Sequence, residues 1–287
     1  MPRSTTSVGT DRARALNRRR LGAVLGAELV CAVLLVAGTG SAPGGPVHAE
    51  PTSLATADTG AADTATAVAP APALTALTTP DGRTAALIDL GAPGGDVLLE
   101  RIASELPAAT EAVTSFWGPQ WPREVEIVVA GTADQFETLA AGGADTAATT
   151  TAERIMFSPA AAAMTDDDLR IVLRHELFHH AARGDTAIDA PVWLVEGVAD
   201  YVGRPPVPEP VMPAVLPTDE ELSTPGPQRS AAYDRAWEFA SYVAATYGPG
   251  KLRELYVAAC GHGHRDVETA VRDVLGVNLA ALTAGSS

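Results

Sequence analysis

Cysteine is scarce in this chain, which has two among its 287 residues. Cys31 falls in an apolar segment near the N-terminus, so removal of that segment would leave Cys260 alone. An intrachain disulfide is then excluded. Because 46% of the residues are hydrophobic and 19% are charged, the chain can still bury a substantial core.

Basic residues are also few, with 20 Lys and Arg against 35 Asp and Glu. The first 49 residues contain six of the arginines and two of the acids, which leaves 14 basic and 33 acidic residues in the remainder. A chain this acidic is a poor ligand for nucleic acids and anionic membranes. We therefore expect no nucleic-acid partner.

Residues 1–49 have the order of a signal peptide. Six arginines and one acid precede an apolar segment, 21–38, which contains a single charge, Glu28; small residues and a cleavage-like Val-His-Ala follow. The order fits secretion, and Arg18 to Arg20 also permit a twin-arginine signal. The alternative is a membrane anchor through 21–38, although 18 residues fall short of the roughly 20 that a span prefers. In both cases the protein is secreted or extracytoplasmic.

Residues 50–80 contain few side chains that could pack, since they are almost entirely Ala, Thr, Pro, Asp and Gly. Such a composition predicts a disordered linker. We expect the folded domain at 81–283, with an α/β part over 81–164 and a helical part over 165–283.

A metal-binding motif stands near the middle of that domain. Residues 175–179 read H-E-L-F-H, and on a helix His175 and His179 share one face and can aim at a single ion. Glu176 lies about 100° further round, close enough to hold a metal-bound water without being a ligand. This arrangement suits a zinc hydrolase.

Two helices are predicted around this motif. The first begins at Thr165, with Asp168 completing a capping-box-like start, and it continues without Gly or Pro until Gly184. The second spans 191–202, with Asp189 as its cap. It carries Glu196, an acid that is costly among apolar neighbours unless it is paired or binds a metal.

The two motifs together, H-E-L-F-H and then W-L-V-E-G-V-A-D-Y, resemble the gluzincin metallopeptidases, and most closely their small bacterial peptidase MA-like domains. The resemblance implies zinc held by His175, His179 and Glu196, with Glu176 as the general base. It also implies that Asp200 orients His175. No G-x-M-E-N-type signature precedes the helix, so an aminopeptidase is not supported.

The resemblance is strongest over 150–202 and extends loosely over 80–283. It implies an α+β, zincin-like fold, with a small α/β N-terminal half, a mixed sheet whose edge strand lies over the zinc helix, and an all-helical C-terminal half. By the same resemblance, residues 153–158 would line the substrate; an ordinary edge strand is the alternative. Tyr233 could stabilise an oxyanion, as Tyr or His does in related enzymes, or could simply belong to the core.

Periodicity predicts the remaining elements. Strands are expected at 83–90, 124–130 and 149–157, and helices at 95–117, 133–141, 229–247, 252–260 and 267–275. Pro107 would kink or split the first helix, and Phe136 and Leu139 would face inward on the second. Eight prolines within 205–227 predict an extended loop without helix, either bordering the cleft or on the surface.

Three other histidines are not expected to bind the metal. His180 points about 100° away from the ligand face, and His262 and His264 lie beside glycines in an exposed loop.

We therefore predict an exported, monomeric, zinc-dependent peptidase that acts on a peptide or protein substrate. The alternatives are a non-catalytic exported binding module on the same scaffold, and a zinc site that hydrolyses something other than a peptide.

Overall fold

The computed structural model describes residues 73–143 and 145–284. The predicted signal peptide or anchor at 1–49 and most of the predicted linker lie outside these residues. The described part is an α+β fold with one mixed five-stranded sheet and several helices. The coarse fold class predicted from the sequence is confirmed.

The sheet has the strand order β1-β2-β3-β5-β4. The β2–β3 and β3–β5 pairs are parallel, whereas β1–β2 and β5–β4 are antiparallel. The strands are β1 (Ala73–Thr78), β2 (Thr84–Asp89), β3 (Glu124–Val129), β4 (Ala148–Thr150) and β5 (Ile155–Phe157).

Helices make up most of the rest. They are α1 (Gly95–Trp117), α2 (Ala133–Ala140), α3 (Asp166–Ala182), α4 (Val192–Gly203), α5 (Asp219–Ser223), α6 (Pro227–Tyr247), α7 (Pro249–Cys260), α8 (Val267–Leu275) and α9 (Leu279–Ala284). Short 3-10 turns at Pro159–Ala163 and Arg183–Asp185 flank α3. No helix in the described ranges is long and apolar enough to cross a membrane.

The central strand β3 shows why the sheet is buried on both faces. Side chains alternate along a strand, so Val125, Ile127 and Val129 join the main core while Val128 points to the other side. There Val128 meets Phe136 of α2. The sheet is therefore covered by α2 on one face and by the main helical core on the other.

Aromatic packing orients the helix that carries the metal motif. Phe178 lies edge-on to Trp117 of α1 and Tyr256 of α7, with ring centroids 5.7 and 5.4 Å away. These T-shaped pairs favour one rotation of α3 about its axis. That rotation turns His175 and His179 toward α4.

Several sequence predictions are corrected by the structure. Residues 73–78, placed in the linker, form β1, because they pair with β2 in antiparallel register. The strand predicted at 149–157 is two strands, β4 and β5, joined by a turn. Because β5 pairs on both sides, 153–158 is not an edge segment; the edge strand on this side of the sheet is β4.

Other differences concern helices. Pro107 does not split α1, which is continuous around it. Leu139 is 48% exposed, since the short α2 buries only Phe136 and Ala140. The proline-rich segment contains one short helix, α5, which begins with a capping box between Thr218 and Glu221.

Gly197 sets the spacing between α4 and α6. A Cβ at this position would lie 2.5 Å from the main-chain oxygen of Ala236. We expect Gly197→Ala to push the helices apart and to lower the free energy of unfolding by about 1–3 kcal/mol. Thermal unfolding measures this change.

The matched control is Gly250→Ala, where a Cβ would meet no atom within 4 Å. This variant should unfold at the wild-type temperature or slightly above it, because alanine favours helix. Equal melting temperatures for both variants would show that α4 and α6 are not in tight contact.

Candidate metal centre

The first two candidate ligands are fixed by the local structure of α3. The Thr165 side chain accepts a hydrogen bond from the Asp168 N–H, and Asp166 to Asp168 place negative charge at the positive end of the helix dipole. The helix then runs without interruption through His175 and His179, as predicted. Their ring centroids are 4.7 Å apart on one face.

The third candidate ligand, Glu196, comes from α4. The Nε2 atoms of His175 and His179 are 2.9 Å apart, and the Glu196 carboxylate lies 3.2 Å from the first and 3.5 Å from the second. Ligand atoms held about 2.1 Å from one tetrahedral ion lie roughly 3.4 Å from each other. This buried His-His-Glu group can therefore hold a metal ion.

The start of α4 is held by a residue other than the predicted one. Asp189 does not cap this helix and instead lies 3.4 Å from His264. The carboxylate of Asp219, at the start of α5, accepts from the Trp193 N–H at 2.9 Å. A residue of the proline-rich segment, Asp219, thus caps α4, the helix that carries Glu196.

The charge balance of the site favours a cation. Glu176, Glu196 and Asp200 are at most 1% exposed, and Arg204 is the buried arginine beside them. With three ionised carboxylates, one guanidinium and both histidines neutral, as metal ligands must be, the interior would carry two excess negative charges, which is costly without compensation. A divalent ion would balance them.

The pKa values of His175 and Glu196 reflect the excess of negative charge in the site. Burial lowers the pKa of His175, but its hydrogen bond to Asp200 and the nearby Glu196 outweigh that effect and raise it to about 10. Burial raises the pKa of Glu196, yet the close imidazoles of His179 and His175 bring it to about 2. Without a metal the cluster therefore retains a proton, which a metal ion would displace.

Asp200 lies against His175, as the resemblance implied. The Nδ1 atom of His175 donates to Asp200 Oδ1 at 3.0 Å, which leaves Nε2 directed toward His179 and Glu196. The second Asp200 oxygen lies 2.7 Å from Arg204, which also donates to Asp234 at 2.8 Å. A chain of contacts, His175–Asp200–Arg204–Asp234, thus supports one imidazole.

Arg204 was missed in the sequence analysis, although a signal existed. It stands four residues after Asp200, at the spacing of an i,i+4 ion pair. Its guanidinium also lies 4.9 Å from the centre of the Trp237 ring.

Glu176 contacts the edge strand. The Thr150 hydroxyl, at the end of β4, lies 2.6 Å from Glu176 Oε2 and 3.0 Å from the Glu176 main-chain oxygen. Arg183, just after α3, donates to the main-chain oxygen of Thr151 at 2.6 Å. These contacts attach the edge strand β4 to the helix. No local pattern in the sequence pointed to Thr150.

The other candidate residues lie outside the ligand cluster. Tyr233 is buried in the core of α6, 2% exposed. His180 is buried against Trp121 and bonds the main-chain oxygen of Glu124 at 3.2 Å, and burial lowers its pKa to about 4. Within the described ranges, neither His262 nor His264 joins a group of three possible ligands.

Comparison with known proteins adds no identification. No protein-family model matches the sequence, and no curated protein matches it significantly.

The contact between Asp200 and His175 predicts an effect on metal affinity. We expect Asp200→Asn to weaken metal binding by about 10–100-fold, because the amide removes the charge that holds His175 in place. Competition with a chromogenic chelator measures the affinity. Asp234→Asn, at the far end of the contact chain and 41% exposed, is the matched control and should bind the metal almost as tightly as the wild type. Equal losses in both variants would contradict a specific role for Asp200.

Proposed function

We propose that this chain is an exported zinc-dependent peptidase of the gluzincin type, built on a zincin-like fold. The observation that carries the proposal is the convergence of His175, His179 and Glu196 from two helices, with Glu176 beside them. Residue type, spacing and burial agree with one another. If these helices were purely structural, the Glu196 carboxylate would be buried at a high free-energy cost with no metal ion to offset it. Chance is therefore a poor explanation for this arrangement.

The set of ligands favours zinc among the divalent metals. Two imidazoles and one carboxylate form a three-ligand set typical of catalytic zinc, which leaves a fourth position for water or substrate. When bound, zinc would lower the pKa of a coordinated water to about 7 and polarise the substrate carbonyl.

Glu176 would act as the general base in this reaction. It would take the proton from the attacking water and pass it to the leaving amine of the peptide. The Thr150 hydroxyl, 2.6 Å from Oε2, fixes one carboxylate oxygen and so limits the orientations that the base can adopt. Asp200 would keep His175 in the tautomer that presents Nε2 to the metal.

The edge strand supports a peptide or protein as the substrate. In the described part of the chain, the outer side of β4 pairs with no other strand, and its last residue contacts Glu176. An extended peptide could add to this edge through main-chain hydrogen bonds once the edge is uncovered, because Ala148, Thr149 and Thr150 are at most 6% exposed. β4 therefore replaces 153–158 as the proposed substrate-lining segment. Tyr233 remains a candidate for stabilising the oxyanion.

The proposed protein acts outside the cytoplasm. The arginine-rich start, apolar segment and small residues of 1–49 support secretion or anchoring outside the cytoplasm. We propose that the protein acts as a monomer.

A non-catalytic binding module is the second candidate, and one observation favours it. The three candidate ligands are between 0% and 5% exposed, which is typical of a structural site rather than of one that admits substrate. In that case the metal would only hold α3 and α4 together.

Glu176→Gln tests the peptidase directly. Loss of the base should lower the turnover of an unbiased peptide library by about 10²–10⁴-fold, while the zinc content stays near that of the wild type. Mass spectrometry of the products and elemental analysis give the two measurements. If the wild type binds zinc but cleaves nothing, the binding module is the correct function. Undiminished turnover in the variant would remove Glu176 from the mechanism.

Glu196→Gln tests the third ligand. A neutral amide is a weak zinc ligand, so the purified variant should contain much less zinc than the wild type. Glu126→Gln on β3, where the side chain is 37% exposed and pairs with Arg154, is the control and should retain zinc. Full zinc content in Glu196→Gln would show that this carboxylate does not bind the metal.

A further inference from the structure

A cavity separate from the metal centre opens beside α4. Its volume is about 460 Å³, and it is bounded by α1, α3, α4, α6 and the start of the proline-rich segment. Neither Glu176 nor any of the three candidate metal ligands lines it. Its size falls within the range of small-molecule sites in proteins.

The walls of this cavity are mainly apolar and aromatic, with a few polar groups. Phe116, Tyr201 and Trp237 supply rings, Ser241 supplies a hydroxyl, and Arg174 and Arg204 supply two guanidinium groups. None of the lining residues is acidic. In a chain with 35 acidic residues and 20 basic ones, a cavity with positive charges alone is unexpected.

The two arginines differ in their partners. Arg204 is bound by Asp200 and Asp234. Arg174 forms no ion pair with any described residue, and its buried Nε makes no hydrogen bond there. Arg170, one turn earlier on α3, takes both oxygens of Glu105 at 3.0 and 3.1 Å. Glu105 acts on Arg174 through its charge but is hydrogen-bonded to Arg170, so the cavity presents the guanidinium of Arg174 without an ion-paired carboxylate.

We propose that this cavity binds a carboxylate carried on an aromatic or branched apolar group, with Arg174 pairing the carboxylate. A guanidinium recognises a carboxylate through two parallel hydrogen bonds, and a planar apolar body matches the rings of Phe116, Tyr201 and Trp237. The same chemistry occurs in small organic acids and at the free C-terminus of a peptide. The proposal does not rest on the peptidase reaction, although Arg204 lines this cavity and also contacts Asp200 beside the metal centre.

The test measures binding of 3-phenylpropionate to the full-length chain by isothermal titration calorimetry. The neutral 3-phenylpropanamide controls for the apolar body, and N-acetylphenylalanine represents a peptide C-terminus. We expect the acid to bind and the amide to bind at least about tenfold more weakly, because the amide carries no charge for Arg174 to pair. Binding of N-acetylphenylalanine alone would identify a peptide terminus as the ligand.

Two variants locate the site. Arg174→Gln should weaken binding of the acid at least about tenfold, whereas Arg272→Gln, at a 53% exposed position of α8 away from the cavity, should change it less than about twofold. Ala112→Phe fills the cavity from α1 and leaves both arginines in place, so it tests the site even if Arg174→Gln fails to fold.

Three results would overturn the proposal. The first is that neither acid binds. The second is that the acid and the amide bind equally well. The third is that Arg174→Gln and Ala112→Phe, both folded by their thermal unfolding, bind the acid as the wild type does. That last result would place the acid elsewhere, for example at the metal centre.

Discussion

The excess of negative charge in the interior is the constraint on which this structure depends. Glu176, Glu196 and Asp200 are removed from water, with Arg204 beside them. Isolated buried carboxylates are among the most costly groups in a folded protein. The convergence of two imidazoles and a carboxylate is therefore hard to explain as packing alone. It is readily explained by a cation, and the rest of the fold holds the helices that supply these groups.

Close helix packing makes that convergence possible. At Gly203, where α4 ends, a Cβ would lie 2.8 Å from the main-chain oxygen of Ile171 and 3.4 Å from the Cβ of His175. Gly197 allows a similar approach of α4 to α6. Small residues thus bring α4 close to α3, while Phe178 fixes the rotation of α3 through its aromatic neighbours. The ligand geometry is a consequence of this packing.

Features that depend on residues close together in the chain could be predicted from the sequence, whereas features that depend on distant segments could not. The spacing of His175 and His179, the cap at Thr165 and the i,i+4 position of Asp200 are local features, and each follows from helical geometry. Thr150, the cap supplied by Asp219 and the edge position of β4 depend on chain segments far apart in sequence. Only the tertiary fold brings these segments together. The prediction that Leu139 faces inward was wrong, because the periodicity of apolar residues does not show how wide the buried face of a helix is.

The burial of the candidate metal ligands has a consequence for the kinetics of ion exchange. With His175 and Glu196 closed off from solvent and His179 only 5% exposed, a bound ion could exchange only after a covering segment of the chain moves. The residence time of the ion would then be set by a motion of the protein rather than by the strength of the competing chelator. A chelator would then remove a bound ion at a rate that stops rising once the chelator concentration is high.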